Sequence, residues 1–244
     1  MVRKLNPSRA KNKTNVLIVL HSCVVILLFA RCCLSSQNIK LFSDADMKGF
    51  SINFNDYDEN LTRVEFNDIA TSACVNGIWF LYEQPKFGPD GNGFVEFAWG
   101  DDHCFNIDPI VDNKVSSVKY AGNFHDWRQD MITLYTHHWF QGDELYDETD
   151  QRVLPAGEII AKSAVIAGLS NWTIYEEKEY TGQAWCLQPQ DATGAAPGFF
   201  TELAKEGVTV VRSFRKGCDS DRIPKALQVT KSEQGKNDHE QNCC

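Results

Sequence analysis

The sequence predicts an all-β protein whose short antiparallel strands pack as sandwiches. Three observations lead to this fold class: short runs alternate hydrophobic and polar residues, an aromatic pattern recurs four times, and no long amphipathic helical stretch is present. Runs such as 51–55, 95–99 and 183–187 have the period of two that is typical of half-buried strands. The 244 residues, 43% of them hydrophobic, suffice to build sizeable cores.

The first 36 residues are predicted to be a signal peptide or a signal anchor. They contain six basic residues and no acidic residue, and the apolar run from Val16 to Ala30 is followed by small residues. Because a bilayer span needs about 20 apolar residues, cleavage near Ser35 or Ser36 is expected, although the long basic leader would also suit an uncleaved anchor. We therefore expect the remaining chain to be secreted, with membrane attachment only if the segment is not cleaved.

The charge balance argues against a nucleic-acid partner. The chain has 24 basic and 33 acidic residues, and six of the basic residues lie in the leader. The remainder is strongly acidic and contains no basic cluster.

Cysteine usage agrees with an oxidising compartment. Three of the nine cysteines, Cys23, Cys32 and Cys33, lie in the leader. Six cysteines remain and allow about 15 pairings. Proximity in the sequence favours two bridges, Cys74 with Cys104 and Cys186 with Cys218. The adjacent Cys243 and Cys244 could link two chains as a disulfide-bonded dimer, and the sequence leaves their role open. Asn60 and Asn171 begin possible glycosylation sequons.

An aromatic pattern divides the chain into four related segments. In each copy a second large apolar residue follows the first aromatic residue five positions later, and in three copies glycine follows after two more positions. The copies begin at Phe42, Tyr82, Tyr135 and Tyr175. An offset of 93 residues superimposes 79–83 on 172–176, so the chain is a pair of units, each itself a pair. The glycine-rich insertion at 90–93 predicts a longer hairpin in the second copy.

These features together resemble the Greek-key motifs of the βγ-crystallin superfamily. The resemblance rests on the aromatic pattern, on Trp-x-x-Tyr-Glu at 79–83 and 172–176, and on Ser-Ser-Val-Lys at 116–119. It implies two Greek-key sandwich domains of two motifs each, at 38–121 and 131–218. The polar segment 219–244 is nearly free of aromatic residues, which predicts a disordered tail.

Two hexapeptides of the first domain, 67–72 and 112–117, match the pattern Asn/Asp-Asn/Asp-x-x-Ser/Thr-Ser. Calcium takes about six to eight oxygen ligands, which amide, carboxylate, carbonyl and hydroxyl groups supply. Such residues also occur in ordinary turns, where they bond to their own backbone. Two copies at equivalent places of a repeat favour a metal site over chance.

In the βγ-crystallins this hexapeptide is the calcium signature, and the two loops of one domain form two sites by exchanging ligands. The resemblance therefore implies two calcium ions (Ca²⁺) in the first domain. The implied ligands are the side chains of Asp68 and Asn113, the hydroxyls of Thr71 and Ser116, the carbonyls of Ile69 and Lys114, and a crossing backbone oxygen near Ser43 or Glu83. Bracing of the loops is implied for Asn67, Ser72, Asp112 and Ser117. Since formal charges are few, we expect affinities of about 10⁻⁵ to 10⁻³ M.

The second domain lacks the signature. Alignment on the following strands sets 158–163 and 205–210 at the hexapeptide positions, with Ile159 and Lys162 in place of ligands. In the last copy Thr209 is retained, but Lys205 brings a cation where oxygen is needed. We expect this domain to bind calcium weakly or not at all.

The sequence thus predicts a secreted, calcium-stabilised structural or binding module whose partner is an extracellular protein or a glycan. The alternative is a crystallin-like protein that serves as a structural, carbohydrate-binding or protein-binding module without a metal. No enzyme is expected, because neither HExxH nor GxSxG occurs and the adjacent His137 and His138 point to opposite faces of a strand or hairpin.

Overall fold

Residues 36–191 and 193–228 are described by this computed structural model, in which twelve β-strands are connected by turns and five short 3-10 helices. The strands are β1 (Asn38–Asp44), β2 (Lys48–Phe54), β3 (Ser72–Tyr82), β4 (Val95–Asn106), β5 (Ser117–Ala121), β6 (Met131–Tyr135), β7 (Glu144–Asp147), β8 (Ser163–Ala167), β9 (Trp172–Tyr175), β10 (Ala184–Leu187), β11 (Gly198–Phe200) and β12 (Ser213–Lys216). The 3-10 helices are Leu61–Val64, Pro85–Phe87, His138–Phe140, Lys178–Tyr180 and Leu203–Glu206. The predicted all-β class is confirmed.

Several expectations concern residues outside these ranges: the leader at 1–35, the polar stretch 229–244, Cys23, Cys32, Cys33, Cys243 and Cys244. In the described ranges, no helix has both the length and the apolar character that a membrane crossing requires.

In the first half of the molecule, residues 38–121, β3 and β4 cross from one sheet layer to the other. The start of β3 pairs with β1, whereas its end, from Ile78 to Tyr82, pairs with β5. β4 runs antiparallel to β3, and the register shifts at Gly77. One layer has the order β2-β1-β3-β4, and Asp58 adds a bridge to Val118 in the other layer. The interleaved order is the Greek-key sandwich that the resemblance implied.

The second half, residues 131–218, repeats this arrangement. One sheet has the order β11-β8-β6-β7 and the other has the order β10-β9-β12. β6 and β8 correspond to β1 and the start of β3, and the bridge between Gln151 and Phe214 corresponds to the bridge made by Asp58. The structure therefore contains the duplication that the 93-residue offset indicated.

Each of the four repeats contains a hairpin folded at the second apolar residue of the aromatic pattern. Two consecutive residues there have left-handed backbone conformations, with φ between 56° and 62°. These pairs are Asp46 and Met47, Lys86 and Phe87, Trp139 and Phe140, and Glu179 and Tyr180. Glycine follows at Gly49, with φ of 76°, because a Cβ there would collide with the Ser43 hydroxyl. In the second repeat the aromatic pattern would place this glycine at position 89, but the equivalent residue is Gly93, four positions later. This displacement confirms the predicted longer hairpin.

A buried serine hydroxyl holds each of these hairpins. It donates a hydrogen bond to a hairpin carbonyl at 2.6 to 2.7 Å and accepts one from the N–H of the second apolar residue at 2.9 to 3.1 Å. The four residues are Ser72, Ser117, Ser163 and Ser213, all fully buried. Since each lies on a different strand from its hairpin, the serine fixes the hairpin to the sheet.

The two predicted disulfides are confirmed. Cys74 faces Cys104 across β3 and β4, and Cys186 of β10 bonds to Cys218 just after β12. Each half thus has one bridge, which closes a loop of about 30 residues and constrains the unfolded chain.

Each half has its own hydrophobic core, and a third cluster of buried residues joins the halves. Along β3, Trp79 and Leu81 point into the first core, while Ile78, Phe80 and Tyr82 belong to the joining cluster. The run 95–99 of β4 is likewise buried on both faces, so its prediction as a half-buried strand was wrong. Alternating hydrophobic and polar residues predict one buried and one exposed face of a strand. Here the face predicted to be exposed is covered by the other half of the molecule.

Aromatic rings and one buried ion pair dominate the joining cluster. The ring centroids of Phe80 and Phe140 are 4.9 Å apart, and the Tyr82 hydroxyl donates to the Phe140 carbonyl at 2.7 Å. Lys119 of β5, only 1% exposed, places its Nζ 3.2 Å from a carboxylate oxygen of Glu144 in β7. Burial lowers the pKa of Lys119, and the neighbouring carboxylate opposes this shift.

Two further stretches differ from the sequence-based expectations. The segment 193–205 has no strand-like alternation in the sequence, but it includes β11, which pairs with β8, and the start of the 3-10 helix Leu203–Glu206. Residues 219–228 were predicted to be disordered, yet the Leu227 N–H donates to the Phe199 carbonyl at 2.7 Å and Leu227 packs on the joining cluster. The polar composition of the whole segment does not indicate that one apolar residue, Leu227, packs against the rest of the molecule.

Replacement of one hairpin serine should destabilise the fold. Ser163→Ala removes a buried donor and acceptor and leaves the Phe140 N–H and the His137 carbonyl without this partner. We expect the free energy of unfolding in urea to fall by about 1 to 3 kcal/mol. The exposed Ser51→Ala on β2 is the matched control and should change it by less than about 0.5 kcal/mol. Equal effects of both substitutions would contradict the bridging role.

Stability should fall in alkaline solution because of the joining cluster. Burial raises the pKa of Tyr82 and of Tyr135 well above the ordinary value, so the folded state keeps protons that the unfolded state loses above about pH 10. The lowered pKa of Lys119 acts in the opposite direction, but two tyrosines outweigh one lysine. Urea unfolding at about pH 9 and about pH 11 should show the decline.

Tyr135→Phe provides the test of this cause. Its hydroxyl is buried, and no hydrogen-bond partner is found among the described residues. The variant should reduce the alkaline decline by up to about 1.4 kcal/mol per pH unit. An unchanged decline would refute the assignment to the joining cluster.

Candidate metal centre

The two hexapeptides lie in loops that precede β3 and β5, and they are hydrogen-bonded to each other. The Asp68 N–H donates to the Val115 carbonyl, and the Asn113 N–H donates to the Ala70 carbonyl, both at 3.1 Å. Each bond joins the second residue of one hexapeptide to the fourth residue of the other. The two loops are therefore related by an approximate two-fold symmetry, as the prediction of exchanged ligands requires.

The second position of each hexapeptide has a left-handed backbone conformation. The φ angle is 57° at Asp68 and 56° at Asn113. Asparagine and aspartate adopt this conformation more readily than other non-glycine residues. The backbone geometry alone thus explains part of the residue preference at this position.

The structure brings some of the predicted ligands together. The Ser116 hydroxyl lies 3.5 Å from Oδ1 of Asp68, which pairs a side chain of each loop. The Thr71 N–H donates to the Phe42 carbonyl, which sets Thr71 beside Ser43. The Ser116 N–H bonds in the same way to the Tyr82 carbonyl next to Glu83. Within 36–191 and 193–228, no donor is found for the carbonyl oxygens of Ile69 and Lys114.

The residues predicted to brace the loops behave differently from one another. Ser72 and Ser117 are the hairpin-bridging serines described above. Oδ1 of Asp112, in contrast, is buried without a hydrogen-bond partner in the described part of the chain. The Asn67 side chain makes no hydrogen bond to any described residue. Oδ1 of Asp112 is therefore a buried acceptor beside the loops, and this atom does not stabilise them through a hydrogen bond to a described residue.

Charged groups around the loops are arranged unequally. Lys114 Nζ donates to the Ile110 carbonyl at 2.8 Å, which directs this cation back along its own loop. Glu96, fully buried on β4, accepts the Asp108 N–H at 3.1 Å. Burial raises the pKa of Glu96, the negative charges of Asp108 and Asp112 act in the same direction, and the hydrogen bond opposes them. Sequence reasoning missed Glu96, because its position in an alternating strand gave no sign of its neighbours.

The candidate ligands are mainly neutral oxygens. No group of three or more His, Cys, Asp or Glu side chains suited to a metal is found among the described residues. The predicted set contributes one carboxylate, one amide, two hydroxyls and backbone carbonyls, which are oxygen ligands that calcium accepts.

The second half requires a correction of the predicted register. Ser213 bridges its hairpin as Ser117 does, and both residues lie opposite the first tyrosine of their repeat. The fourth hexapeptide is therefore 208–213, not 205–210. Lys205 lies outside it, in the 3-10 helix Leu203–Glu206. The error arose because only one serine marks this loop, and the pairing of β12 was needed to locate it.

In the corrected register Arg212 takes the position that Ser116 has in the first half. Its Nε donates to Oε2 of Glu158 at 2.8 Å. One terminal nitrogen donates to the Glu176 carbonyl at 3.0 Å and lies 3.4 Å from Oε1 of Glu177. A guanidinium group thus joins the third and fourth repeats at this point.

The possible glycosylation sites lie beside strands and helices. The Asn60 side chain accepts the Thr62 N–H at 3.1 Å and so caps the helix Leu61–Val64. Asn171 directly precedes β9, and the hydroxyl of Thr173 in its sequon donates to the Gly217 carbonyl at 2.7 Å.

Comparison with known proteins supports the fold. Residues 38–94 match the family model Beta/Gamma crystallin. No curated protein is significantly similar to the chain in sequence. Geodin, a beta-gamma crystallin from Geodia cydonium, is 21% identical, with a TM-score of 0.57, and the alignment covers 75% of this chain and 100% of geodin. At this identity the likeness establishes the fold.

Two other solved structures align less well. The beta gamma crystallin from Ciona intestinalis is 25% identical, covering 34% of this chain and 99% of its own, with a TM-score of 0.30. Protein S, determined in complex with calcium, is 15% identical, covering 74% of this chain and 99% of its own, with a TM-score of 0.28. Residues 38–94 thus match the Beta/Gamma crystallin family, and the described part of the chain has the Greek-key sandwich fold of a beta-gamma crystallin.

Proposed function

We propose that the first half binds two calcium ions through the hexapeptides 67–72 and 112–117. The observation that carries this proposal is the reciprocal hydrogen bonding of the two loops, with Oδ1 of Asp68 and the Ser116 hydroxyl 3.5 Å apart. This contact unites oxygen groups from both repeats at one point, as a shared cation site requires. By the two-fold relation, Asn113 and Thr71 form the second site.

The second half supports the proposal by internal comparison. At the place equivalent to Ser116, the Arg212 guanidinium binds the Glu158 carboxylate and the Glu176 carbonyl. These two residues correspond to Asn67 and Glu83 in the first half. At the equivalent backbone position, the second half therefore contains a positively charged side chain, the guanidinium of Arg212. In the first half the short hydroxyl of Ser116 leaves this place to an external cation.

The available oxygens suit calcium. Oδ1 of Asp112 is buried without a hydrogen-bond partner in the described residues, and such an atom carries a cost that a cation would relieve. Bound calcium supplies positive charge that ties the two repeats together. Because the sites exist only in the folded state, calcium at ten times its Kd adds about 1.4 kcal/mol per site to the free energy of unfolding. The protein acts here as a calcium-stabilised structural or binding module, with no catalytic role.

A secreted location fits this function. Disulfides persist in oxidising compartments, and each half has one. The expected affinity of about 10⁻⁵ to 10⁻³ M matches sites that are filled outside cells. The second half, with Arg212 in place of the hydroxyl, is proposed to fold without calcium. The proposed partner of the whole protein, outside the cell, is an extracellular protein or a glycan.

Isothermal titration calorimetry of the calcium-free protein should detect two sites. Replacement of both hydroxyls, Thr71→Ala with Ser116→Ala, should weaken binding at least about tenfold, because each site loses an oxygen ligand. Thr209→Ala in the second half is the matched control and should leave both sites unchanged.

Circular dichroism of the same variants should show that they remain folded. Wild-type affinity in the double variant would exclude the hexapeptides as ligands. No heat of binding in folded wild-type protein at millimolar calcium would leave the loops as turns only, and the metal-independent structural function would then apply.

A further inference from the structure

A cleft of about 140 Å³ lies between the two halves, beside the linker that joins them. Its lining includes Tyr57, Tyr120, Phe124, Met131, Thr133 and Tyr146. A cavity of about 150 Å³ accepts a molecule of the size of benzene. The cleft is therefore large enough for one small ring or one ammonium group, and too small for an oligosaccharide.

Aromatic rings form most of the wall on the side of the first half. Tyr57 and Tyr120 pack edge to face, with centroids 4.6 Å apart, and Phe124 lies 5.6 Å from Tyr120. On the side of the second half, Thr133 is buried, whereas Tyr146 of β7 is 57% exposed and so stands near the opening. The faces of aromatic rings carry the negative part of the ring quadrupole, and several such rings are the usual surroundings of bound organic cations.

Two carboxylates lie near the aromatic wall of the cleft. Burial raises the pKa of Tyr120 to about 12, and the negative charges of Asp56 and Glu144 act in the same direction. Glu144 is compensated by Lys119 and also accepts the Tyr57 hydroxyl at 2.8 Å. No salt bridge to Asp56 is found in the described part of the chain. The exposed carboxylate of Asp56, which accepts the Tyr57 N–H at 2.8 Å, is therefore near the aromatic wall and forms no ion pair with a described basic side chain.

The same interface already holds one ammonium group among aromatic rings. Lys119 Nζ lies 4.7 Å from the ring centroid of Tyr135, 5.1 Å from that of Phe87 and 5.6 Å from that of Tyr82. These distances are within the range of about 6 Å for cation–π attraction. The chemistry proposed for the cleft is thus present a short way along the interface.

We propose that this cleft binds a small organic cation with a quaternary ammonium group, such as the trimethylammonium group of choline. A neutral sugar fits less well, because it needs convergent polar groups and the Tyr57 hydroxyl is engaged by Glu144. The site is separate from the calcium loops and does not depend on them.

Titration calorimetry with choline chloride tests the site, and 3,3-dimethylbutan-1-ol serves as a neutral ligand of the same shape. We expect choline to bind, and to bind at least about tenfold more tightly than the alcohol, because only the cation gains from the ring faces and Asp56. Equal affinity of the two would mean an apolar pocket and overturn the proposal. Absence of choline binding, or binding of glucose in its place, would overturn it as well.

Variants separate the cleft from unspecific surface binding. Tyr146→Ala removes an exposed ring at the opening and should weaken choline binding about tenfold, whereas Tyr146→Phe should retain most of it. Phe50→Ala is the matched control, since Phe50 is 85% exposed on β2 and does not line the cleft. Equal loss in the alanine variants of Tyr146 and Phe50 would refute the site.

Two arms distinguish the source of the ammonium group. If a soluble ligand occupies the cleft, choline should bind and sedimentation with phosphatidylcholine vesicles should be absent. Sedimentation that choline competes away would assign the group to a lipid headgroup. Failure of both arms would contradict the proposal, whatever the calcium titration shows.

Discussion

The bridging serine is the contact on which the rest of the structure depends. Its hydroxyl ties a folded hairpin to a strand at the far end of the same repeat, and the four copies have nearly equal hydrogen-bond lengths. The serine is fully buried, so an unpaired hydroxyl would be costly and the geometry is held tightly. In the first half the same serine ends each hexapeptide. The contact that closes the hairpin thereby also fixes the position of the candidate calcium ligands.

This dependence explains why the two halves share a frame and differ in chemistry. Both halves keep the serine, the left-handed hairpin residues and the order of strands. The residue just before the serine varies, from the hydroxyl of Ser116 to the guanidinium of Arg212. In the first half, exchangeable calcium ions are proposed to join the two repeats. In the second half, the guanidinium of Arg212 joins them. The exchange of Ser116 for Arg212 is thus one of the side-chain differences by which the proposed calcium-dependent half differs from the half that contains its own cation.

Local pattern was enough to predict the repeats, the strand class and the disulfides, because spacing and composition determine them. Features that depend on distant packing were not predictable in the same way. Nothing in the alternation of 95–99 indicates that the other half covers its second face, and the register of 208–213 became clear only from the pairing of β12. The anchoring of Leu227 rests on one contact in a polar segment. For the candidate metal centre, the sequence predicted the loops but not the buried Glu96 or the partners of Arg212.

The central claim is that two exchangeable calcium ions bind at the two loops of the first half and that none binds at the equivalent loops of the second. A calcium titration followed by amide NMR signals tests it residue by residue. The account predicts shifts concentrated at 67–72 and 112–117, with the signals of 158–163 and 208–213 unchanged. Shifts of equal size in both halves, or shifts that avoid the two loops, would contradict it.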